Sequence, residues 1–461
     1  MPIEAFSLAL DFVKAMQYVS KQGQCSGCGS KYVLTSASEV AEYTESTLMK
    51  SDLSPPITQD NGAPRLAAWL ANRNDLTARF VAAGRAPGLI NLAGGLPEAA
   101  LFPVESLAAI AKQSILDFPK DCLGYIPTEG LPELRDAIAR RYSTPAMRLH
   151  RDNVLLTSSG SQSLDLIGKV LVEPGANVGA LFPSYVGAMD AWRPRSPVYR
   201  DLGCALESSA ENLLKAFAGL QFAYTIPNFS NPTGKLVDEA GRRALVSAAH
   251  QTGVWLVEDD PYCSLQYDGH PVPSLLEISA GEANSGETYT GPVIHLGSVS
   301  KELTPGLRVG WVIAAPEMVR ALTAAKQGTD LCSSGLNQRI VLAAIEGGLV
   351  DEMAPKMVSL YRDRRDALCA AMAQYLTEWF EWEVPVGGMF VWVRAKSPSF
   401  DADRLVDLGT ASGVLVGPGS VFDPWGRTRG CLRINFTANP SDKLVEGVRR
   451  LAQILRQLSI Q

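Results

Sequence analysis

No block of lysines and arginines occurs in this chain, and that is the first thing its composition excludes. With 42 basic against 48 acidic residues the formal net charge is -6, so the electrostatic footprint of a nucleic-acid surface is missing. Long apolar runs are missing too. No stretch of about 18 uncharged apolar residues occurs, which argues against a membrane-spanning helix. The first residues include Glu4 and Asp11 without a basic lead-in, which makes a poor signal peptide. Eight cysteines in 461 residues, mostly inside apolar runs, do not make a disulfide framework. The expected setting is therefore a reducing cytoplasm. Cys25-Ser26-Gly27-Cys28 has the spacing of half a zinc site or of a redox pair. No second pair and no nearby histidine completes four ligands, so no metal is expected.

What is present is ordinary for a globular protein: 46% hydrophobic and 20% charged residues, with length enough for two or three packed units. Residues 1–61 read as an N-terminal extension. Phe6, Leu10, Val13 and Met16 have helical spacing there, and a Ser/Thr/Glu-rich stretch follows. From about residue 62 the pattern becomes regular, with a helix expected around Ala67–Phe80. Ile90-Asn91-Leu92-Ala93-Gly94-Gly95 then reads as an extended piece turning on paired glycines, which allow a ligand close to the backbone. A turn-rich loop at Leu123–Gly130 carries Tyr125, which serves packing or a ligand contact.

The middle third alternates apolar runs with helical stretches, the signature of an α/β fold with a mostly parallel sheet flanked by helices. Strands are expected at Val154–Thr157, Val178–Phe182, Phe222–Ile226, Val254–Glu258, Val293–Gly297 and Val309–Ile313. Ligands bind outside the carboxyl ends of such strands, and here the ends are chemically rich. Ser159-Gly160-Ser161-Gln162 opens a helix, as a plain serine cap or as an anion cradle. Tyr185 offers a ring for stacking on a flat heterocycle. Asn231 offers a donor to a phenolic oxygen, and Tyr262 reaches for the same oxygen. Asp259 is a carboxylate that needs a cationic partner, for which a protonated pyridine nitrogen would serve. Ser298, Ser300, Lys301 and Arg308 share one loop. Lys301 there is either a solvated surface lysine or an amine whose proton is loosened by a neighbouring cation, able to form a Schiff base with an aldehyde. Together these groups supply every contact that pyridoxal phosphate needs.

At this point the chain resembles the fold type I pyridoxal-phosphate enzymes, class I/II aminotransferases. Within them it is most similar to the branch of the aminoadipate/kynurenine aminotransferases and the aminotransferase-like domains of MocR regulators. The resemblance spans residues 62–455. It rests on A-G-G-L-P at 93–97, Y-x-P-T-E-G-L-P-E-L-R at 125–135, S-G-S-Q at 159–162 and N-P-T-G at 231–234. It continues through D-D-P-Y at 259–262, S-x-S-K at 298–301, G-L-R-x-G at 306–310, G-G-M-F at 387–390 and L-R-I-N-F at 432–436.

The resemblance implies pyridoxal 5'-phosphate as cofactor, with Lys301 as the Schiff-base lysine. Ser161, Gln162, Ser298, Ser300 and Arg308 are implied to hold the phosphate. Tyr185 is implied to stack on the ring, Asp259 to pair with its nitrogen, and Asn231 with Tyr262 to contact its O3'. Arg433, by itself an ordinary ion-pair arginine, is implied to bind the substrate α-carboxylate, with Gly95 nearby. Tyr125 is implied to reach the neighbouring subunit's site, which makes the protein a homodimer with shared sites. The division implied is a large cofactor-binding domain at 62–344 and a smaller α+β domain at 345–461. The expected activity is amino transfer between an α-amino acid and a 2-oxo acid. Two alternatives remain open: elimination, replacement or cyclisation on the same scaffold, and an effector-binding regulator. The second needs a basic winged-helix domain, whereas residues 1–60 are short and acidic.

Overall fold

The apolar runs do form strands. In the computed structural model, which describes residues 66–72, 88–282 and 288–460, the strands in chain order are β1 (Ile90–Asn91), β2 (Val154–Thr157), β3 (Asn177–Ala180), β4 (Val198–Asp201), β5 (Phe222–Thr225), β6 (Trp255–Asp259), β7 (Val293–Ser298), β8 (Gly310–Ile313), β9 (Phe380–Trp382), β10 (Phe390–Ala395), β11 (Val414–Leu415), β12 (Gly417–Pro418) and β13 (Cys431–Asn435). The expected helix near the N-terminus and the Cys25/Cys28 pair lie outside the described residues. Of the helix expected at 67–80, a 3-10 turn at Ala68–Asn72 is described.

Seven strands make the main sheet, in the order β2-β8-β7-β6-β5-β3-β4. β8 runs antiparallel to both neighbours, and the other pairings are parallel. Central strands β5 and β7 are buried along their whole length, as expected where helices cover both faces. The carboxyl ends of β2, β3, β5, β6 and β7 therefore share one edge, and β8 begins at that same edge. Loops carrying the serines, Tyr185, Asn231, Asp259, Lys301 and Arg308 all converge there. The topology alone has gathered residues from Ser159 to Arg308 in one place.

Edge strand β4 was not legible as a strand. Its residues alternate exposed and half-buried, so Val198-Tyr199-Arg200-Asp201 lacks a continuous apolar run. The Val178 strand is shorter than expected, stopping at Ala180, and the Val254 strand is shifted, so that Asp259 is its last residue.

A second, four-stranded antiparallel sheet has the order β12-β13-β10-β9. The helices Leu349–Tyr375 and Ser441–Ile460 pack against one another beside it. Arg433 lies on β13 opposite Trp392 and Gly417. The extended piece at Ile90 returns to this part of the chain, where β1 pairs in parallel with β11. One continuous apolar core includes residues from both sheets. No helix among the described residues is long and apolar enough to cross a membrane.

Candidate active site

A cavity of about 270 Å³ opens at the carboxyl edge of the main sheet. Gly95, Ser161, Tyr185, Asn231, Asp259, Tyr262, Ser298, Ser300, Lys301, Arg308 and Arg433 all line it. Of the residues singled out in the sequence, Gln162 and Tyr125 do not.

One corner offers a helix N-terminus, hydroxyls and a guanidinium to an anion. The helix Gly160–Leu171 starts at the cavity wall after Ser159, whose φ of 89° bends the chain into it. Its first N–H groups have no acceptor within the helix, and they carry the positive end of its dipole. Close approach of β8 fixes this terminus: a Cβ on Gly310 would lie 2.9 Å from Ser159 C and 3.0 Å from Gly160 N. The Arg308 guanidinium donates to Ser159 Oγ, and Ser298 Oγ to Ser300 Oγ at 2.8 Å. Gln162, expected in the phosphate set, does not line the cavity, and its side chain is engaged elsewhere. Its amide nitrogen donates to Asp330 Oδ2 at 2.7 Å and its oxygen accepts from Ser158 N at 2.7 Å. Both ends of that side chain are committed to bracing the loop from behind.

Lys301 Nζ donates to the Gly95 carbonyl at 2.9 Å. Burial, with Arg308 and Arg433 adding positive charge, pulls its pKa from 10.5 down to about 8. The expected cationic neighbours are there, but loss of solvent is the larger cause.

Three acidic residues follow one another at the end of β6, and their partners separate them. Glu258 accepts from Leu275 N, Leu276 N and the His295 ring. Asp260 accepts from Asn228 at 2.8 Å. Asp259 alone lines the cavity, and it accepts from the Tyr224 hydroxyl at 2.7 Å. Burial raises the Asp259 pKa to about 6, against the hydrogen bond from Tyr224 that lowers it. It makes no ion pair among the described residues.

Opposite stands Arg433, 4% exposed. It donates to Asn231 Oδ1 at 2.7 Å and to the Ala93 carbonyl. Its guanidinium lies 4.3 Å from the Phe390 ring centroid and 4.7 Å from that of Phe422. Burial lowers its pKa to about 10, still a cation at neutral pH. Asn231 also hydrogen-bonds the buried Tyr262 hydroxyl. Tyr125, by contrast, is 87% exposed.

Sequence reading missed Tyr224, Phe390 and Phe422. Tyr224 and Phe390 sit in apolar strand runs, where an aromatic residue reads as core. Only the register between strands brings Tyr224 to Asp259.

A helix N-terminus, a buried amine and a buried carboxylate meet at the carboxyl edge of this sheet, the arrangement implied by the resemblance to fold type I enzymes. Residues 87–451 match the family model described as aminotransferase class I and II. The chain is 35% identical over 381 residues to aromatic-amino-acid aminotransferase 1 of Thermococcus litoralis, covering 80% of this chain and 88% of that protein. Among solved structures it is similar to the α-aminoadipate aminotransferase of Thermus thermophilus complexed with N-(5'-phosphopyridoxyl)-L-leucine (33% identity, TM-score 0.74, 83% of this chain and 97% of that one). It is also similar to the kynurenine aminotransferase of Pyrococcus horikoshii (31% identity, TM-score 0.76, 84% and 95%). The chain belongs to the class I and II aminotransferase family.

Proposed function

We propose that this aminotransferase uses pyridoxal 5'-phosphate, held by this chain's own residues, to move an amino group between an α-amino acid and a 2-oxo acid. The observation that carries the reading is a single cavity wall bearing Lys301, Asp259 and the Ser161–Arg308 anion corner. The groups fit the cofactor. Asp259 is a buried carboxylate with no ion pair among the described residues, and a pyridine N–H⁺ would supply one. The anion corner suits a phosphate dianion. When bound, the cofactor supplies an electron sink that eases loss of the substrate Cα proton.

The chain supplies the rest. Arg433 receives the α-carboxylate with its planar fork, exchanging the Ala93 carbonyl for the substrate. Lys301 Nζ, neutral in a substantial fraction near pH 8, takes the Cα proton and returns it on the other side of the transfer. Asp259 holds negative charge at the ring nitrogen, while Asn231 and Tyr262 serve the ring oxygen. Tyr185 packs on the ring face, and Ser298 and Ser300 join Ser161 and Arg308 at the phosphate. We further propose a cytoplasmic homodimer, in which exposed Tyr125 with Phe118 and Leu123 beside it is covered by a second copy. The division at 344/345 is proposed as the boundary between the two domains.

The test mixes the cofactor-loaded protein with single amino acids and no acceptor. One 2-oxo acid per site, with the cofactor left aminated and restored by adding a 2-oxo acid, is the expected result. Ammonia or another leaving group released without amination of the cofactor would sink the reading.

A further inference from the structure

Trp192-Arg193-Pro194-Arg195 has no part in the site above, yet Trp192 is among the largest fully buried side chains, at 1% exposure. Its indole N–H donates to the Leu164 carbonyl at 2.9 Å, inside the helix that begins at the anion corner. Gly168 makes room for it, since a Cβ there would lie 2.7 Å from Trp192 Cδ1. On its other side the ring meets Phe222 and Tyr224 edge-on, with centroids 5.0 and 5.2 Å apart. Trp192 therefore fixes β5 against that helix and seats the Tyr224 ring.

Tyr224, held this way, reaches Asp259 Oδ2 at 2.7 Å, with both residues buried. A phenol has a single proton to donate, and an ionised carboxylate has none, so the direction of this bond is fixed whenever Asp259 is charged. The other titratable groups around Asp259 are Asp260, which opposes its charge, and His295, which favours it. Tyr185 and Tyr262 complete the surroundings, and among the described residues neither donates a hydrogen bond to Asp259.

We propose that Tyr224 is the positioning residue for the ring-nitrogen contact: it holds one oxygen of Asp259, leaves the other to the cavity, and keeps the carboxylate a weak enough base for the shared proton to stay on the ring. The inference rests on the pyridoxal phosphate reading of the site. Without the hydroxyl, negative charge concentrates on the carboxylate, and the proton moves from the ring nitrogen toward Asp259.

The experiment loads wild type, Tyr224→Phe and Phe222→Leu with pyridoxal phosphate isotope-labelled at the ring nitrogen. It reads the nitrogen chemical shift and the cofactor Kd, with Asp259→Asn as the reference for a nitrogen without its carboxylate. Wild type should show a protonated nitrogen. Tyr224→Phe should move toward the Asp259→Asn value and bind cofactor about tenfold more weakly, the loss of one hydrogen bond to a charged group. Phe222→Leu disturbs the packing on the same tryptophan and should keep the wild-type shift. A fluorinated, more acidic tyrosine at position 224 keeps the shape and donates more strongly, so it should move the shift the opposite way even if Tyr224→Phe folds poorly. An unchanged shift in Tyr224→Phe overturns the positioning role and leaves the cofactor reading standing. An equal movement in Phe222→Leu also overturns it, because packing is then the cause. If wild type fails to take up the labelled cofactor, both readings fall.

Discussion

The amine of Lys301 donates to the backbone carbonyl of Gly95 at 2.9 Å, so the catalytic candidate of one loop is tethered to the glycine turn that precedes the main sheet. With a pKa near 8, capture of an aldehyde by the cofactor-free protein should rise with pH through about 8 and then level off. An ordinary lysine would continue to gain up to about 10.5. Between these values the unfolded chain holds a proton that the native state has released, so this group's contribution to stability grows with pH across that window. Borohydride trapping followed by peptide mass measurement at a series of pH values checks the first point. Lys301→Ala should show no trapped adduct at this position at any pH.

Asp259 behaves with the opposite sign. Its native pKa of about 6 lies above the ordinary 3.8, so the native state of the cofactor-free protein binds the proton more tightly than the unfolded one. Its contribution is fully present below about 3.8 and is lost as pH rises through about 6. Denaturant midpoints of the cofactor-free protein at pH 5 and pH 7 should therefore differ less in Asp259→Asn than in wild type. Adding pyridoxal phosphate should reverse the trend, because a ring cation favours the charged carboxylate. An identical pH slope in the variant would sink the assignment of this shift to Asp259.

Arg433 is clamped between Phe390 and Phe422 and bonded to Asn231. Arg433→Lys keeps the charge but loses the fork and the flat face. The expected loss in kcat/KM is about 100-fold, carried by KM, from one or two charge-assisted hydrogen bonds. Cofactor Kd should change much less than KM, since the proposed phosphate ligands lie elsewhere and Arg433 meets the proposed cofactor ligands through Asn231. Steady-state kinetics with a direct cofactor titration separates the two.

Gly95 has no room for a side chain: a Cβ there would lie 2.8 Å from Phe390 Cζ. Gly95→Ala must push the Phe390 ring, which also faces Arg433, so one methyl should disturb both the lysine tether and the carboxylate site. Activity should fall by about tenfold or more and the melting temperature should fall as well, because the displaced Phe390 ring lines the cavity and is also part of the core. A variant with wild-type kinetics would show that Phe390 yields freely.

Strand-end chemistry made much of this site legible in the sequence. Asp259, Lys301 and Arg308 stand beside turn residues at the ends of apolar runs, and a parallel sheet brings such ends together whatever their distance in sequence. Gln162 shows the limit. Sequence places it one residue from Ser161, yet whether a side chain faces the cavity or Asp330 depends on a partner 168 residues away. Tyr224 shows the same limit from the other side, as does β4, whose half-exposed residues carry a pattern shared by many loops.

The exposure of Tyr125, at 87% with Leu123 at 73% beside it, leads to a prediction about assembly. If Tyr125 completes the partner's site, Lys301→Ala and Tyr125→Ala chains should each be impaired alone and recover when mixed. A mixed dimer contains one site with both defects and one with neither. Random exchange makes half of the dimers mixed, so the mixture should reach about a quarter of wild-type activity. Subunit exchange after mild denaturation, followed by an activity assay, measures this. Activity no higher than the average of the two variants would mean that each site is built from a single chain.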